Sequence, residues 1–117
     1  MCNNNPTKNE DGTVIKRYDP LTVELTESEK PGNPPARSAV LYTADGQKHG
    51  VWEAEPGVHN GYQGQETVVI LQGRATVTVE SGQTVEVGQG DLFICQPGEK
   101  MTWTVHEKIR KVFVINQ

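Results

Sequence analysis

The sequence predicts an all-β fold, on the basis of its strand-forming residues and its turns. Its 117 residues include 14 valines and 11 threonines but only five leucines and five alanines. β-Branched side chains favour strands, whereas leucine and alanine favour helices. Twelve glycines and seven prolines supply frequent turns. A chain of this length forms one domain with one core.

Residues 1–36 are interpreted as an N-terminal arm followed by a proline-rich linker. The first 20 residues are polar and show no periodicity, and Leu21–Leu25 is a candidate for one edge strand. Lys30–Pro35 contains three prolines, which lack an N–H donor and restrict the residue before them. We therefore expect no regular structure in this linker.

Residues 37–117 are predicted to form the barrel, which with the edge strand gives about nine short strands separated by turns. The clearest alternation is in Arg74–Glu80, where Ala75, Val77 and Val79 share one face, and Gly73 is expected to end the strand before it. Many short antiparallel strands in a small domain need a closed or double-sheet arrangement, so we expect a jelly roll. The predicted strands are Ser38–Thr43, Gly50–Ala54, Glu66–Gln72, Arg74–Glu80, Val85–Val87, Leu92–Cys95, Met101–Val105 and Ile109–Ile115.

Charge and hydropathy exclude several classes of protein. The net charge is -4 and the pI is near 5.3, which is the wrong sign for a nucleic-acid-binding surface. Mean hydropathy is -0.58 and no apolar run approaches the roughly 18 residues of a membrane helix. The N-terminus lacks the basic and apolar regions of a secretory signal, so a cytoplasmic protein is expected. Cys2 and Cys95 alone form no disulfide framework or zinc site.

Three segments in the second half of the chain carry a family resemblance. In Glu66–Gly73 a glutamate is followed after six residues by glycine, and Glu80–Gly82 is followed by Val87–Asp91. The third segment, Gly90–Gly98, places Pro97 one position later than usual. In this order and spacing, these segments resemble the cupin superfamily (RmlC-like) over about residues 38–116.

The segments around Trp52 and Trp103 are similar to a smaller branch, the single-barrel cupins grouped with ureidoglycine aminohydrolase. The resemblance implies a single cupin-type jelly roll, also called a double-stranded β-helix, and a predicted enzyme.

The resemblance also implies one divalent metal, held by three histidines and one glutamate. His59 and Glu66 match two of these positions, whereas Gly61 and Met101 replace the other two. A thioether is a poor ligand for hard divalent ions. We therefore expect a degenerate metal site and no cofactor, with at most a weakly bound manganese, iron, nickel or zinc ion at His59 and Glu66.

Strand alternation indicates a second way to balance a buried glutamate. Glu66 shares a face with Val68 and Ile70, and Lys111 stands in the otherwise apolar row Ile109–Ile115. A Glu66–Lys111 pair, joined by Glu53, would take the place of the metal charge. The alternative is that these charged residues lie near strand ends and reach water.

The candidate catalytic residues are Glu66, His59 and Lys111, acting by acid–base chemistry. His59 follows the turn Pro56–Gly57, so an exposed loop histidine is an equally open interpretation. Aromatic and polar side chains are expected to contact a small planar or amide ligand, although core packing explains the tryptophans equally well. The candidate ligand-binding residues are Trp52, Glu53, Tyr62, Met101 and Trp103.

Two functions remain open from the sequence. The first is binding of a small polar nitrogen-containing metabolite with hydrolase-type acid–base chemistry, as the aminohydrolase resemblance implies. The second is a non-catalytic, metal-free cupin that binds a small molecule or serves an accessory role. In both cases the expected partners are a small-molecule ligand and a second copy of the chain, forming a homodimer through edge strands, without nucleic acid or membrane.

Overall fold

The computed structural model describes residues 14–28 and 30–116, and in these ranges it contains eight strands and no helix. All strand pairs are antiparallel, which confirms the predicted all-β fold. The predicted arm over residues 1–13 lies outside the described residues. The strands are β1 (Thr26–Glu27), β2 (Ala36–Ala44), β3 (Gln47–Ala54), β4 (Gly57–Asn60), β5 (Gln65–Val79), β6 (Thr84–Gly88), β7 (Leu92–Cys95) and β8 (Met101–Asn116).

The long strands β5 and β8 pair along most of their length and belong to both layers of the jelly roll. The first half of β5 and the second half of β8 form one layer with β3 and β7. The opposite halves form the other layer with β4 and β6. The core lies between the layers and contains Trp103, Ile70 and Ile109, each at most 1% exposed.

Gly73 bends β5 between these two layers. Its φ is +90°, and a Cβ at this position would lie 2.2 Å from the carbonyl oxygen of Lys108. The pairing with β8 shifts register between Ile70 and Ala75, which lets the strand turn while it continues. The prediction that Gly73 ends a strand is therefore wrong. The two predicted pieces form one strand, and the same holds for Met101–Val105 and Ile109–Ile115 in β8.

The predicted edge strand at Leu21–Leu25 is replaced by a turn. The Asp19 side chain accepts a hydrogen bond from the Leu21 N–H, and the Asp19 carbonyl accepts one from Val23. These local bonds compete with strand pairing. The edge strand that does form, β1, pairs only with Arg37 and Ser38 of β2.

A tight hairpin sets the register that brings β2 and β3 to the site. Asp45 and Gly46 have φ values of 53° and 77°, so both central residues of the turn are left-handed, as in a type I′ hairpin. The register places Trp52 opposite Ser38 on β2 and opposite Lys111 on β8.

The strand β4 was not predicted, because Pro56–Gly57 and the glycine-rich segment after it indicate a turn and loop. It pairs with β8 so that His59 lies opposite Trp103. Within residues 14–28 and 30–116, no helix is long and apolar enough to cross a membrane.

Candidate functional site

A cavity of about 340 Å³ opens beside β2, β3, β4 and β8. Trp52 from β3 and Trp103 from β8 line it, together with polar side chains from β3, β4, β5 and β8. Because adjacent strands are held in fixed register, the positions of these strand residues follow from the sheet, whereas Lys30 and Tyr62 lie outside the strands. The polar and charged side chains that line the cavity include His59, Tyr62, Glu66, Lys111, Lys30 and Lys48.

Glu66 and Lys111 form a buried ion pair in the wall of this cavity. Lys111 Nζ donates a hydrogen bond to Glu66 Oε2 over 2.6 Å, and the residues are 1% and 6% exposed. Lys111 lies opposite Ile70, which shares its face of β5 with Glu66. The predicted pairing of these two residues is therefore present, and neither side chain reaches water as the alternative required.

The Lys111 ammonium also lies against aromatic rings. Its Nζ is 4.4 Å from the ring centroid of Trp103 and 4.8 Å from that of Trp52. At these distances the ring faces attract the cation. The two tryptophans thus help hold the charge in place, in addition to walling the cavity.

His59 is fully buried on β4, which excludes the exposed-loop interpretation. Its Nε2 lies 2.8 Å from the carbonyl oxygen of Glu55. Because a carbonyl only accepts hydrogen bonds, Nε2 must carry the hydrogen, and Nδ1 of the neutral ring then offers a lone pair. The ring packs edge-on against Trp52, with centroids 5.4 Å apart.

Two buried acceptors at the site have no partner. Among the described side chains, His59 Nδ1 and Glu66 Oε1 are the buried nitrogen and oxygen atoms that lack a hydrogen bond. A buried polar group left without a partner costs roughly 1–3 kcal/mol. Since nearly all buried polar groups in folded proteins are satisfied, this pair of atoms is a specific feature of the cavity.

The structure has a second cavity, and Met101 lines it. The Trp103 ring centroid lies 5.7 Å from that of Trp52, which lines the first cavity, and 5.7 Å from that of Phe93, which lines the second. Beyond Phe93, a largely apolar cavity of about 410 Å³ is lined by Met101, Val77 and other side chains. Met101 was predicted among the ligand-binding residues of the first cavity, but its side chain lines the second cavity and not the first.

Glu53 also lies away from the cavity, contrary to its predicted place beside Glu66 and Lys111. Neighbouring residues on a strand face opposite sides, so Trp52 points inward and Glu53 outward. Arg37 and Arg110 both donate hydrogen bonds to the Glu53 carboxylate, the latter over 3.0 Å, and Lys108 lies 3.7 Å away. Burial by itself would raise the pKa of Glu53, but the hydrogen bonds from the two arginines and the positive charges of Arg37 and Lys108 together outweigh it and lower the pKa below 4.5.

Cys95 lines the second cavity and lies opposite Glu66 in the sheet register. Burial raises the pKa of its thiol above 9.0, and the negative charges of Glu66 and Glu99 raise it further. The thiol is therefore disfavoured as a nucleophile.

Tyr62 and two lysines form the outer part of the first cavity. The Tyr62 hydroxyl donates to the carbonyl of Asn116 over 2.8 Å, and Lys30 Nζ donates to the carbonyl of Asn60 over 3.0 Å. The sequence interpretation missed Lys30 and Lys48. Alternation could have found Lys48, which shares the inward face of β3 with Trp52, but no periodic signal marked Lys30 in the linker.

The donor set does not fit the metal that the cupin resemblance implied. In the described part of the chain, no group of three histidine, cysteine, aspartate or glutamate side chains could hold a metal ion. A Cβ added at Gly61 would lie 3.1 Å from Met101 Cβ and Trp103 Cδ1, so a histidine there has little room. In addition, the Lys111 ammonium occupies one oxygen of Glu66 and repels a further cation.

The jelly-roll fold of this chain is that of a cupin. Residues 42–113, more than half of the chain, match the model of the EutQ-like cupin domain, and the chain belongs to this family. The finer grouping with ureidoglycine aminohydrolase stays a prediction. None of the curated proteins matches the sequence significantly.

Solved structures show the same fold at low sequence identity. The EutQ protein of Clostridium difficile has a TM-score of 0.75 and 18% identity, over 93% of this chain and 90% of that one. The polyketide cyclase RemF of Streptomyces resistomycificus has a TM-score of 0.71 and 20% identity, over 87% and 79%. The Cnp3 cupin domain of Schizosaccharomyces pombe has a TM-score of 0.68 and 21% identity, over 86% and 74%. Such likeness shows the fold but not the activity.

Proposed function

We propose that the protein binds a small polar, nitrogen-containing molecule in the first cavity without a metal ion. The observation that carries the proposal is the pair of unpartnered buried acceptors, His59 Nδ1 and Glu66 Oε1, in a cavity walled by two tryptophans. A purely structural ion pair would be expected to have both carboxylate oxygens satisfied. The Lys111 ammonium supplies the positive charge that the resemblance assigns to a metal.

Acid–base catalysis at the same site is a second candidate, favoured by the orientation of His59. The Glu55 carbonyl fixes the hydrogen on Nε2, so Nδ1 is left as the basic nitrogen. A base oriented by a second group is the arrangement that proton abstraction requires. Lys111 would then stabilise negative charge that develops on the substrate. Hydrolase-type chemistry of this kind agrees with the predicted aminohydrolase grouping.

A fragment screen read by tryptophan fluorescence tests the binding proposal. The chain has two tryptophans, and both line the cavity, so the signal reports on this site. We expect fragments with N–H groups to change the emission, and expect His59→Gln to weaken their binding. His106→Gln is the matched control, because His106 is exposed and lies outside the cavity.

Turnover separates the two candidates. If the fragments that bind are amides or ureides and are hydrolysed, with loss of hydrolysis in His59→Gln, the protein is an enzyme. Binding without turnover supports the non-catalytic function, and a screen in which no fragment binds would contradict both.

We further propose that the protein is a cytoplasmic homodimer that pairs through edge strands. β1 covers only Arg37 and Ser38, so the remainder of β2 has no partner strand on its outer edge within the described residues. Light scattering should then give about twice the chain mass of 12.9 kDa. A mass near that of one chain would contradict the dimer.

A further inference from the structure

We propose that the ligand has two ends: a neutral amide-type group with N–H donors that enters the cavity, and an anionic group that stays at its opening. This inference rests on the proposed function, because it assumes that the cavity binds a small molecule. It specifies the ligand class from the hydrogen-bonding capacity and the charge of the lining.

The inner part of the site lacks donors for its acceptors. His59 Nδ1 offers a lone pair and Glu66 Oε1 is a carboxylate oxygen, so both accept hydrogen bonds. A ligand satisfies them only with N–H or O–H groups. A carboxylate, an ester or a phosphate diester has none to offer.

The charge at the inner end favours a neutral group. Lys111 already balances Glu66 at 2.6 Å, so a ligand ammonium would add an unpaired charge beside a lysine. Lys111 carries three N–H donors and uses one on Glu66, which leaves it able to donate to a carbonyl. A carboxamide combines the N–H groups that Glu66 and His59 need with the carbonyl that Lys111 can bind.

The two unpartnered atoms lie below the solvent-accessible surface, so the cavity wall must yield when a ligand reaches them. Trp52 and Trp103 form that wall, and the Lys111 ammonium rests on both rings. Binding at this depth must therefore change tryptophan fluorescence, whereas binding at the opening alone need not.

The opening of the cavity favours an anionic group, whereas the inner end favours a neutral one. Among the described residues, three lysines line the cavity against one glutamate, and once Lys111 and Glu66 are paired, Lys30 and Lys48 remain. Lys30, in the linker, is exposed, and Lys48, near the start of β3, is half-buried. A carboxylate or phosphate at the outer end of the ligand would be attracted by these two positive charges.

Four compounds with the same four-carbon chain test the two ends separately. Succinamate has an amide and a carboxylate, monomethyl succinate replaces the amide by an ester, succinamide replaces the carboxylate by a second amide, and succinate has two carboxylates. We expect succinamate to bind most tightly. Monomethyl succinate should bind more weakly by roughly three- to tenfold for each hydrogen bond that it lacks. Succinamide should bind more weakly and with less dependence on salt.

Two variants assign each end to its residues and serve as controls for each other. His59→Phe should reduce the preference for succinamate over monomethyl succinate and leave the preference for succinamate over succinamide unchanged. Lys48→Gln should reduce the preference for succinamate over succinamide and leave the preference over monomethyl succinate unchanged. Circular dichroism checks that both variants fold. If His59→Phe does not fold, binding of the four compounds to the unaltered chain and to Lys48→Gln still tests the two ends of the ligand.

If monomethyl succinate or succinate binds as tightly as succinamate, the inference is overturned while the proposed function stands. The same conclusion follows if none of the four compounds binds but unrelated fragments do. If no fragment of any kind changes tryptophan fluorescence, the proposed function fails and the inference fails with it.

Discussion

The ammonium of Lys111 lies 2.6 Å from Oε2 of Glu66, and Oε1 of the same carboxylate has no partner. A purely structural ion pair would be expected to use both oxygens, because desolvation of two charges is expensive and every hydrogen bond offsets part of it. This unpartnered oxygen is the feature on which the proposed binding of a ligand rests.

Removal of one member of this pair should destabilise the fold strongly. Lys111→Met leaves the Glu66 charge buried and uncompensated, so we expect the free energy of unfolding to fall by about 3–5 kcal/mol. Adding Glu66→Leu to the same chain should recover part of this loss. Urea denaturation measures both, and the exposed pair Arg74–Glu107 supplies a control, since Glu107→Gln should cost at most about 1 kcal/mol. Strictly additive effects of Lys111→Met and Glu66→Leu would argue against coupling.

The outward cluster around Glu53 should make stability depend on pH. The pKa of Glu53 is lowered in the folded state, so its contribution is complete above the ordinary value of 4.5 and is lost as the pH falls through the folded-state pKa. Glu53→Gln should therefore be less stable than the unaltered chain at neutral pH, by about 2 kcal/mol or more. The difference should shrink as the solution is acidified. Thermal unfolding between neutral pH and pH 3 measures it, and a difference that grows with acid would refute the assignment.

Cys95 should react slowly with alkylating agents. Burial, followed by the charges of Glu66 and Glu99, raises the pKa of its thiol, and the thiolate is the reactive form. In a Cys2→Ser chain, in which Cys95 is the remaining cysteine, the midpoint of the rate of iodoacetamide labelling should lie above pH 9.0. Labelling in denaturant gives the reference, with a midpoint near pH 8.5. A midpoint in the folded protein at or below that reference would contradict the prediction.

Gly73 should tolerate no side chain. Gly73 and Gly90 have the same φ of +90°, but a Cβ at Gly73 would lie 2.2 Å from the Lys108 carbonyl oxygen, whereas nothing lies within 4 Å of one at Gly90. Gly90→Ala should cost about 1–2 kcal/mol for the left-handed backbone. Gly73→Ala should cost clearly more, because backbone atoms of β8 must move. Equal losses of stability in the two variants would show that the bend is not closely packed.

The fold could be predicted from the sequence because period-two alternation and turn residues are local signals. The bend in β5 could not, since a glycine with positive φ looks the same in a turn and in a bent strand until its partner strand is known. The continuity of β8 could not either, because the exposed polar run His106–Lys108 interrupts its apolar alternation. The short strand β4 was missed because Pro56–Gly57 suggested a loop, and its pairing with β8 is long-range.

Period-two alternation predicts part of the candidate site. The assignments that are wrong are those that alternation contradicts or cannot decide. Alternation placed Glu66 and Lys111 on inward faces, and they do meet. The same rule places Glu53 outward beside the inward Trp52, so its assignment to the cavity conflicted with the pattern. Met101 does face inward, but alternation along one strand does not decide which of two cavities an inward side chain lines.

Metal-independent binding at Glu66, Lys111 and His59 is tested most directly by one titration. The tightest-binding fragment is titrated against the protein by tryptophan fluorescence, once with EDTA in excess and once with added manganese chloride. The account predicts the same dissociation constant in both, because the Lys111 ammonium supplies the positive charge at Glu66. Binding that disappears in EDTA and returns with manganese would contradict it.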